Sequence, residues 1–229
     1  MLKFGDVADL PPPGASEVSV RVLKRMVHPL DHLIIRGVLP APIPPGGAVP
    51  GHDGMGVIEQ VGAEVDVASG IVPGARVNLF QVHGTWAERI VVPASAAISI
   101  PDDVSDHVAC QVIINGVTAI MLLRAAAAAD DQAGVSAPLL VTAAGSGVGR
   151  NVIALARMRG QMVIALVRRD SGAEILSRSF SGLKVVSTEH EGWQSAVLSA
   201  FGQAPVVALD PIGGDMTPQF LDLLANRGT

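Results

Sequence analysis

The segment Thr142-Ala143-Ala144-Gly145-Ser146-Gly147-Val148-Gly149-Arg150 holds the clearest chemistry in the sequence. It follows a short apolar run, Leu139 to Ala143, and opens a stretch in which Val148, Val152, Leu155 and Ala156 share one helical face. A strand, a tight glycine turn and a helix in that order let backbone N–H groups close on a diphosphate, and the helix adds the positive end of its dipole. Ala144, Gly145, Ser146, Gly147, Val148 and Gly149 are therefore the candidate phosphate-binding residues, with Gly149 allowing helix and strand to pack closely. The spacing is not a strict Gly-x-Gly-x-x-Gly: with Gly149 as the third glycine, Ala144 and Ser146 stand at the first two positions. An ordinary strand-to-helix turn, with glycines for packing alone, is the competing reading.

The end of the next apolar run bears on which dinucleotide such a turn would hold. That run closes in Val167-Arg168-Arg169-Asp170. An acidic residue there binds ribose hydroxyls, as NAD requires, whereas arginine suits a 2′-phosphate. Two guanidinium groups that can grip phosphate bidentately favour NADPH over NADH. The competing readings are a solvated charged loop, or Asp170 as the ribose ligand.

These residues need a frame, and the chain has two textures. Up to about residue 100, short β-type runs alternate with Pro and Gly: Glu17 to Leu23, Gly56 to Gly62, Gly74 to Leu79 and Glu88 to Val92. Their polar–apolar alternation, with no strand–helix rhythm between them, predicts an antiparallel β-rich domain. After Asp102 the texture changes. Val108 to Ile114 and Val117 to Ala129 are expected as two helices broken at Asn115-Gly116. Strands then alternate with helices: Leu139 to Ala143, Met162 to Val167, Lys184 to Ser187 and Val206 to Leu209. Helices are expected after the glycine turn with Gly160 as cap, near Ala173 to Phe180, around Trp193 to Phe201, and at Phe220, Leu221 and Leu224 with Gly228 as cap. Four such steps predict an α/β fold with a doubly wound parallel sheet. The expected domains are 1–107, β-rich, and 108–229, dinucleotide-binding.

Composition removes several alternatives. Of the 229 residues, 49% are apolar and 16% charged, which excludes disorder as the main state. A formal charge of −5 with no Lys/Arg block predicts no nucleic-acid partner and no anionic membrane surface. Mean hydropathy is +0.44, yet prolines, glycines or Asn115-Gly116 interrupt each long uncharged stretch, so no membrane span is expected. The N-terminus has no apolar leader core, and a cytoplasmic location is expected. The lone cysteine, Cys110, permits no intrachain disulfide and is expected as a buried, inert thiol.

Seven motifs in order resemble the medium-chain dehydrogenase/reductase superfamily, in its zinc-independent quinone oxidoreductase and 2-enoyl thioester reductase branch. They are His28-Pro29-Leu30-Asp31; Pro50 to Gly62, including Gly51-His52-Asp53; Gly74-Ala75-Arg76-Val77; Gly84 to Glu88; Asn115 to Ala119; Gly145 to Gly149; and Leu209 to Gly214. The resemblance implies a GroES-like β-domain joined to a Rossmann domain, with the active site in the cleft between them. It implies that Thr118 lies near the nicotinamide, that residues 145–149 hold the pyrophosphate, that Arg168 or Arg169 meets the 2′-phosphate, and that Gly213 lies by the cofactor. His28, Asp31, Asn115 and Thr118 are the candidate catalytic residues around the acceptor, and a homodimer is expected of the full-length protein.

Two departures from that family matter. Enoyl reductases of the branch carry a Tyr shortly after the His28–Asp31 position, near Gly37, and this sequence contains no Tyr. Aligned with zinc-dependent members, His28, His52 and Asp53 fall at ligand positions, but the third position falls at Ile114. His and carboxylate can bind zinc; the alternative, that His28 and His52 line a cleft or make hydrogen bonds, is favoured, and no zinc is expected. The segment from Val77 to Trp86 is too short for the family's structural-zinc lobe. The chain stops where the resemblance implies a fifth parallel strand, so an incomplete sheet, with a poorly soluble or partner-dependent chain, is expected. The leading expectation is an NADPH-dependent oxidoreductase passing hydride to an electron-poor C=C or a quinone. The alternative is a nucleotide-binding protein of little or no activity on the same scaffold.

Overall fold

The computed structural model describes residues 2, 5, 9–40, 47–133, 137–225 and 228. The chain forms two compact units, Met1–Ile114 and Asn115–Thr229.

The first unit is a curled antiparallel half-barrel. Its strands are β1 (Glu17–Arg25), β2 (Gly54–Val61), β3 (Arg76–Leu79), β4 (Arg89–Pro93) and β5 (Ala97–Ser99), in the order β4-β1-β2-β3-β5. Alternation decides which face is inside. Val18, Val20 and Val22 of β1 turn inward with Ile58, Val77, Leu79, Ile90 and Val92, while Ser19 and Arg21 between them do not. Each large buried side chain contributes about 1.5–3 kcal/mol of transfer free energy. A short helix, α1 (Pro29–Ile35), precedes β2. Pro29 starts it and Asp31 sits in its first turn, where a carboxylate suits the helix dipole. α1 has no counterpart in the sequence expectations: its buried residue is Asp31, so it shows no apolar periodicity.

The second unit is the parallel sheet. β6 (Leu139–Val141), β7 (Val163–Val167), β8 (Lys184–Ser187) and β9 (Val207–Leu209) lie in the order β8-β7-β6-β9, every pair parallel. β7 is buried along its whole length, as a central strand covered on both faces must be. Leu139 and Val141 point to one face and pack with Val152, Ile153 and Ala156 of α3 (Gly147–Met158) and Leu176 of α4 (Asp170–Ser179). Leu140, between them, points to the other face. It joins Trp193 and Val197 of α5 (Trp193–Ser199) and Phe220 of α6 (Thr217–Leu221). Helices on both faces make the sheet doubly wound.

Two expectations are corrected. Residues 106–133 form one helix, α2 (Asp106–Ala133), not two broken at Asn115-Gly116. A helix interior tolerates one glycine at a cost of about 1 kcal/mol. Here Asn115 is buried, and Ala119, Leu123 and Ala126 lock the following turns into the second unit's core. Being continuous, α2 is long and apolar enough over Asp106–Ala128 to cross a membrane by length and composition; 28% of its most apolar stretch is buried in the protein. The last helix, α6, ends at Leu221, so Gly228 does not cap it; the chain turns at Asp222 and Leu223 instead.

Candidate functional site

The first unit concentrates its polar chemistry in one buried network. α1 places His28 and Asp31, and the turn into β2 places His52 and Asp53. The Asp31 carboxylate accepts the His28 backbone N–H at 2.7 Å through Oδ2, and its Oδ1 lies 2.7 Å from Nδ1 of His52. Nε2 of His28 lies 3.1 Å from Oδ2 of Asp53. The Asp53 carbonyl accepts the Thr85 hydroxyl at 3.0 Å, and the Trp86 indole N–H donates to the Met26 carbonyl at 3.1 Å. His83, itself exposed, meets the His52 ring edge-to-face at 4.7 Å.

Asp31 and Asp53 are fully buried and His28 nearly so. Carboxylates that face Nδ1 of His52 and Nε2 of His28 assign the proton to those nitrogens in each neutral ring. Oδ1 of Asp53 is the one carboxylate oxygen of the set with no partner. Gly51 makes the turn possible: its φ is +102°, and a Cβ there would strike Thr85 and Trp86. Cys110 packs among Met55, Ile100 and Ala109, and burial, then the Asp53 charge, push its thiol pKa up, as an inert thiol requires.

The histidines and aspartates of this network answer one another in pairs. The one cluster of three metal-ligand side chains among the described residues lies elsewhere: Asp170, Glu189 and His190, all exposed.

The second unit builds its site from strand ends. Ser146 caps α3, and its hydroxyl accepts the Gly149 N–H at 3.0 Å. The Arg150 N–H reaches the Ser146 carbonyl at 2.9 Å. Among the described residues, the N–H groups of Gly145, Gly147 and Val148 have no acceptor. A side chain on Gly145 would meet open space. Unmatched donors at the start of a helix are the donor set a diphosphate needs, so these residues can hold one. Gly149 is held by packing: a Cβ there would lie 2.6 Å from the Ala143 carbonyl oxygen and 2.8 Å from Ala144 Cα. Ala144 is fully buried, and Ala143 sits at φ +44°, a left-handed backbone costly for alanine. The Asn115 amide lies against Gly147. Thr118, half-buried, lies one helical turn further along α2.

Arg168 and Arg169 leave the end of β7 exposed and, among the described residues, without a side-chain partner. Arg150 differs: it donates to the Ser179 hydroxyl at 3.0 Å and stacks over Phe180. At the end of β9, Asp210 gathers four donors. The hydroxyls of Thr142 and Thr217 reach it at 2.7 and 3.2 Å, and the N–H groups of Ile212 and Gly213 at 3.0 and 2.9 Å. Burial raises the Asp210 pKa, but these bonds together outweigh it and hold the carboxyl below its ordinary value. Asp210 thereby ties the β6 end to the Gly213 turn. In the sequence Asp210 stands inside the Leu209–Gly214 motif with no role assigned to it; its signal is an acid at a strand end followed by Pro and two glycines.

Residues 14–102 match the alcohol dehydrogenase GroES-like domain. The mitochondrial enoyl-[acyl-carrier-protein] reductase of Xenopus tropicalis is 29% identical over 222 residues, covering 95% of this chain and 61% of its own. The solved quinone oxidoreductase of Pseudomonas syringae superposes with a TM-score of 0.77 at 27% identity, over 98% of this chain and 65% of its own. In sequence and in structure the chain is similar to the zinc-independent quinone oxidoreductase/enoyl reductase-like branch of the medium-chain dehydrogenase/reductase superfamily. A mycobacterial member solved in complex with NADPH superposes with a TM-score of 0.78 at 26% identity, over 96% of this chain and 66% of its own. The chain thus spans less than two thirds of these superfamily relatives.

Proposed function

We propose that this chain belongs to an NADPH-dependent oxidoreductase that passes hydride to an electron-poor C=C or a quinone. The observation that carries the reading is the turn at 144–149. Its N–H groups at Gly145, Gly147 and Val148 have no acceptor among the described residues, while Ser146 and Gly149 are committed to holding the turn in shape. The relationship to quinone oxidoreductases and enoyl reductases, and a relative solved with NADPH, support it.

NADPH, when bound, supplies the hydride. The chain's own residues bind and orient. Ala144 to Gly149 receive the diphosphate, Arg168 and Arg169 grip the 2′-phosphate, and Gly213 holds its turn beside the dinucleotide. Thr118 orients the nicotinamide end, and Asn115 steadies the glycine turn from α2. Orientation of this kind supplies much of the acceleration of a hydride transfer. His28 and Asp31 complete the set assigned to the acceptor. Asp31 also faces Nδ1 of His52, which leaves Nε2 as the acceptor atom of a neutral ring.

One observation favours a second reading, a dinucleotide-binding protein with little catalysis: the chain has no Tyr to serve as proton donor. Fluorescence titration with NADPH, followed by oxidation assays against quinone and enoyl thioester acceptors, separates the two. Binding with turnover supports the enzyme, binding without turnover supports the second reading, and no binding removes both.

A further inference from the structure

Asp170 opens α4 directly after Arg168 and Arg169, at the place where dinucleotide-binding sheets use a carboxylate to accept ribose hydroxyls. Here that carboxylate is already engaged. Nε2 of His190 lies 2.8 Å from Oδ2 of Asp170. The Asp170 backbone N–H donates to Oε2 of Glu189 at 3.0 Å. Both partners come from the loop that follows β8, the strand beside β7. Beside the pair lies an open cavity of about 340 Å³, lined by Ser187, Glu191 and Trp193 among others.

We propose that His190 sets the dinucleotide preference of this site: by holding the Asp170 carboxylate it withdraws the acceptor that would favour NADH and leaves Arg168 and Arg169 to recognise a 2′-phosphate. This rests on the dinucleotide reading above. A protonated His190 also cancels the Asp170 charge beside the two guanidinium groups. The hydrogen bond to Asp170, and then its charge, raise the His190 pKa above the ordinary imidazole value. Hydrogen bonds from His190 and Ser187 lower that of Asp170. The pair is thus imidazolium–carboxylate below the raised His190 pKa. As pH rises through that value, the positive charge leaves and one uncompensated negative charge stays near the arginines.

The other charged groups around the pair are Arg168, Arg169, Glu189 and Glu191; β8 and α5 present Val185, Val186, Ser187, Trp193 and Ala196 to the cavity. The 2′-phosphate itself titrates at about pH 6, with the opposite sign: its protonation weakens NADPH binding as pH falls.

The test is a fluorescence titration of the full chain with NADPH and with NADH over a pH series that starts at the ordinary imidazole value, about pH 6.5, and runs upward. The wild-type preference for NADPH should fall on the order of threefold over that range, the scale of one exposed charge pair. His190→Ala should lower the preference at the acid end by about the same factor and remove the fall. His190→Gln, which can donate to Asp170 without carrying charge, should restore the preference but not its pH dependence. In an Asp170→Asn background, His190→Ala should change nothing. Equal preference in wild type and His190→Ala, with NADPH still bound more tightly, overturns the role of His190 and leaves the NADPH reading standing. Failure of the wild type to bind either dinucleotide overturns both.

Discussion

The polar side chains of the two units are used in opposite ways. In the β-rich unit, His28, Asp31 and Asp53 are buried, His52 is half-buried, and the four answer one another. In the parallel-sheet unit, the groups of interest are left open: three N–H groups at a helix start and two exposed arginines. A buried polar group is costly unless it is hydrogen-bonded. An open one can wait for a ligand. The difference teaches where stability and where affinity should respond to substitution.

The largest effect should come from opening the closed network. His28→Ala leaves the Asp53 carboxylate buried with neither oxygen paired, since Oδ1 already lacks a partner. Denaturant unfolding should show a loss of about 3 kcal/mol, the upper end of the cost of stranding a buried hydrogen-bond acceptor. If the loss is small, the two units do not differ as described. Gly149→Ala tests the one tightly packed point of the open region. Its Cβ would press on the backbone of Ala143 and Ala144, at a cost of about 1–3 kcal/mol in unfolding free energy and with weaker NADPH binding.

Removing Arg168 and Arg169 together should sharpen the comparison further. NADPH affinity should fall at least about tenfold, or roughly 1.4 kcal/mol, with NADH affinity and the melting temperature unchanged. The smallest effect belongs to Asp210. Its folded pKa is lowered, so its stabilisation is present above the ordinary carboxyl pKa and is lost as pH falls through the lowered value. Acid unfolding curves of wild type and Asp210→Asn should draw together as pH falls below about 4 and through the lowered value, and differ above it by less than about 1 kcal/mol for a carboxyl that is only half-buried.

The parallel sheet was legible because its signals are local. Leu139 to Ala143, the glycine turn and the amphipathic face of α3 are consecutive in sequence, and β7 announces itself as an unbroken apolar run. The half-barrel strands were legible from alternation, although β5, at three residues, is too short to show it. α1 was not, because a helix whose buried residue is an aspartate carries no hydrophobic period; only Pro29 and Asp31 mark it. α2 misled in the other direction, since Asn115-Gly116 resembles a break locally and tertiary packing overrides it. His28 and Asp53 stand 25 residues apart and Asp31 and His52 stand 21 apart, so their mutual engagement could not be read from spacing. His190 reads from the sequence only as a surface or loop residue, because its partner Asp170 is 20 residues away, across two strands' ends.

The most direct test is a crystal of the protein grown or soaked with NADPH. The diphosphate oxygens should lie within about 2.7–3.2 Å of the backbone nitrogens of Gly145, Gly147 and Val148. The 2′-phosphate should meet Arg168 or Arg169. A dinucleotide bound elsewhere, with those three N–H groups still turned to solvent, would contradict the account.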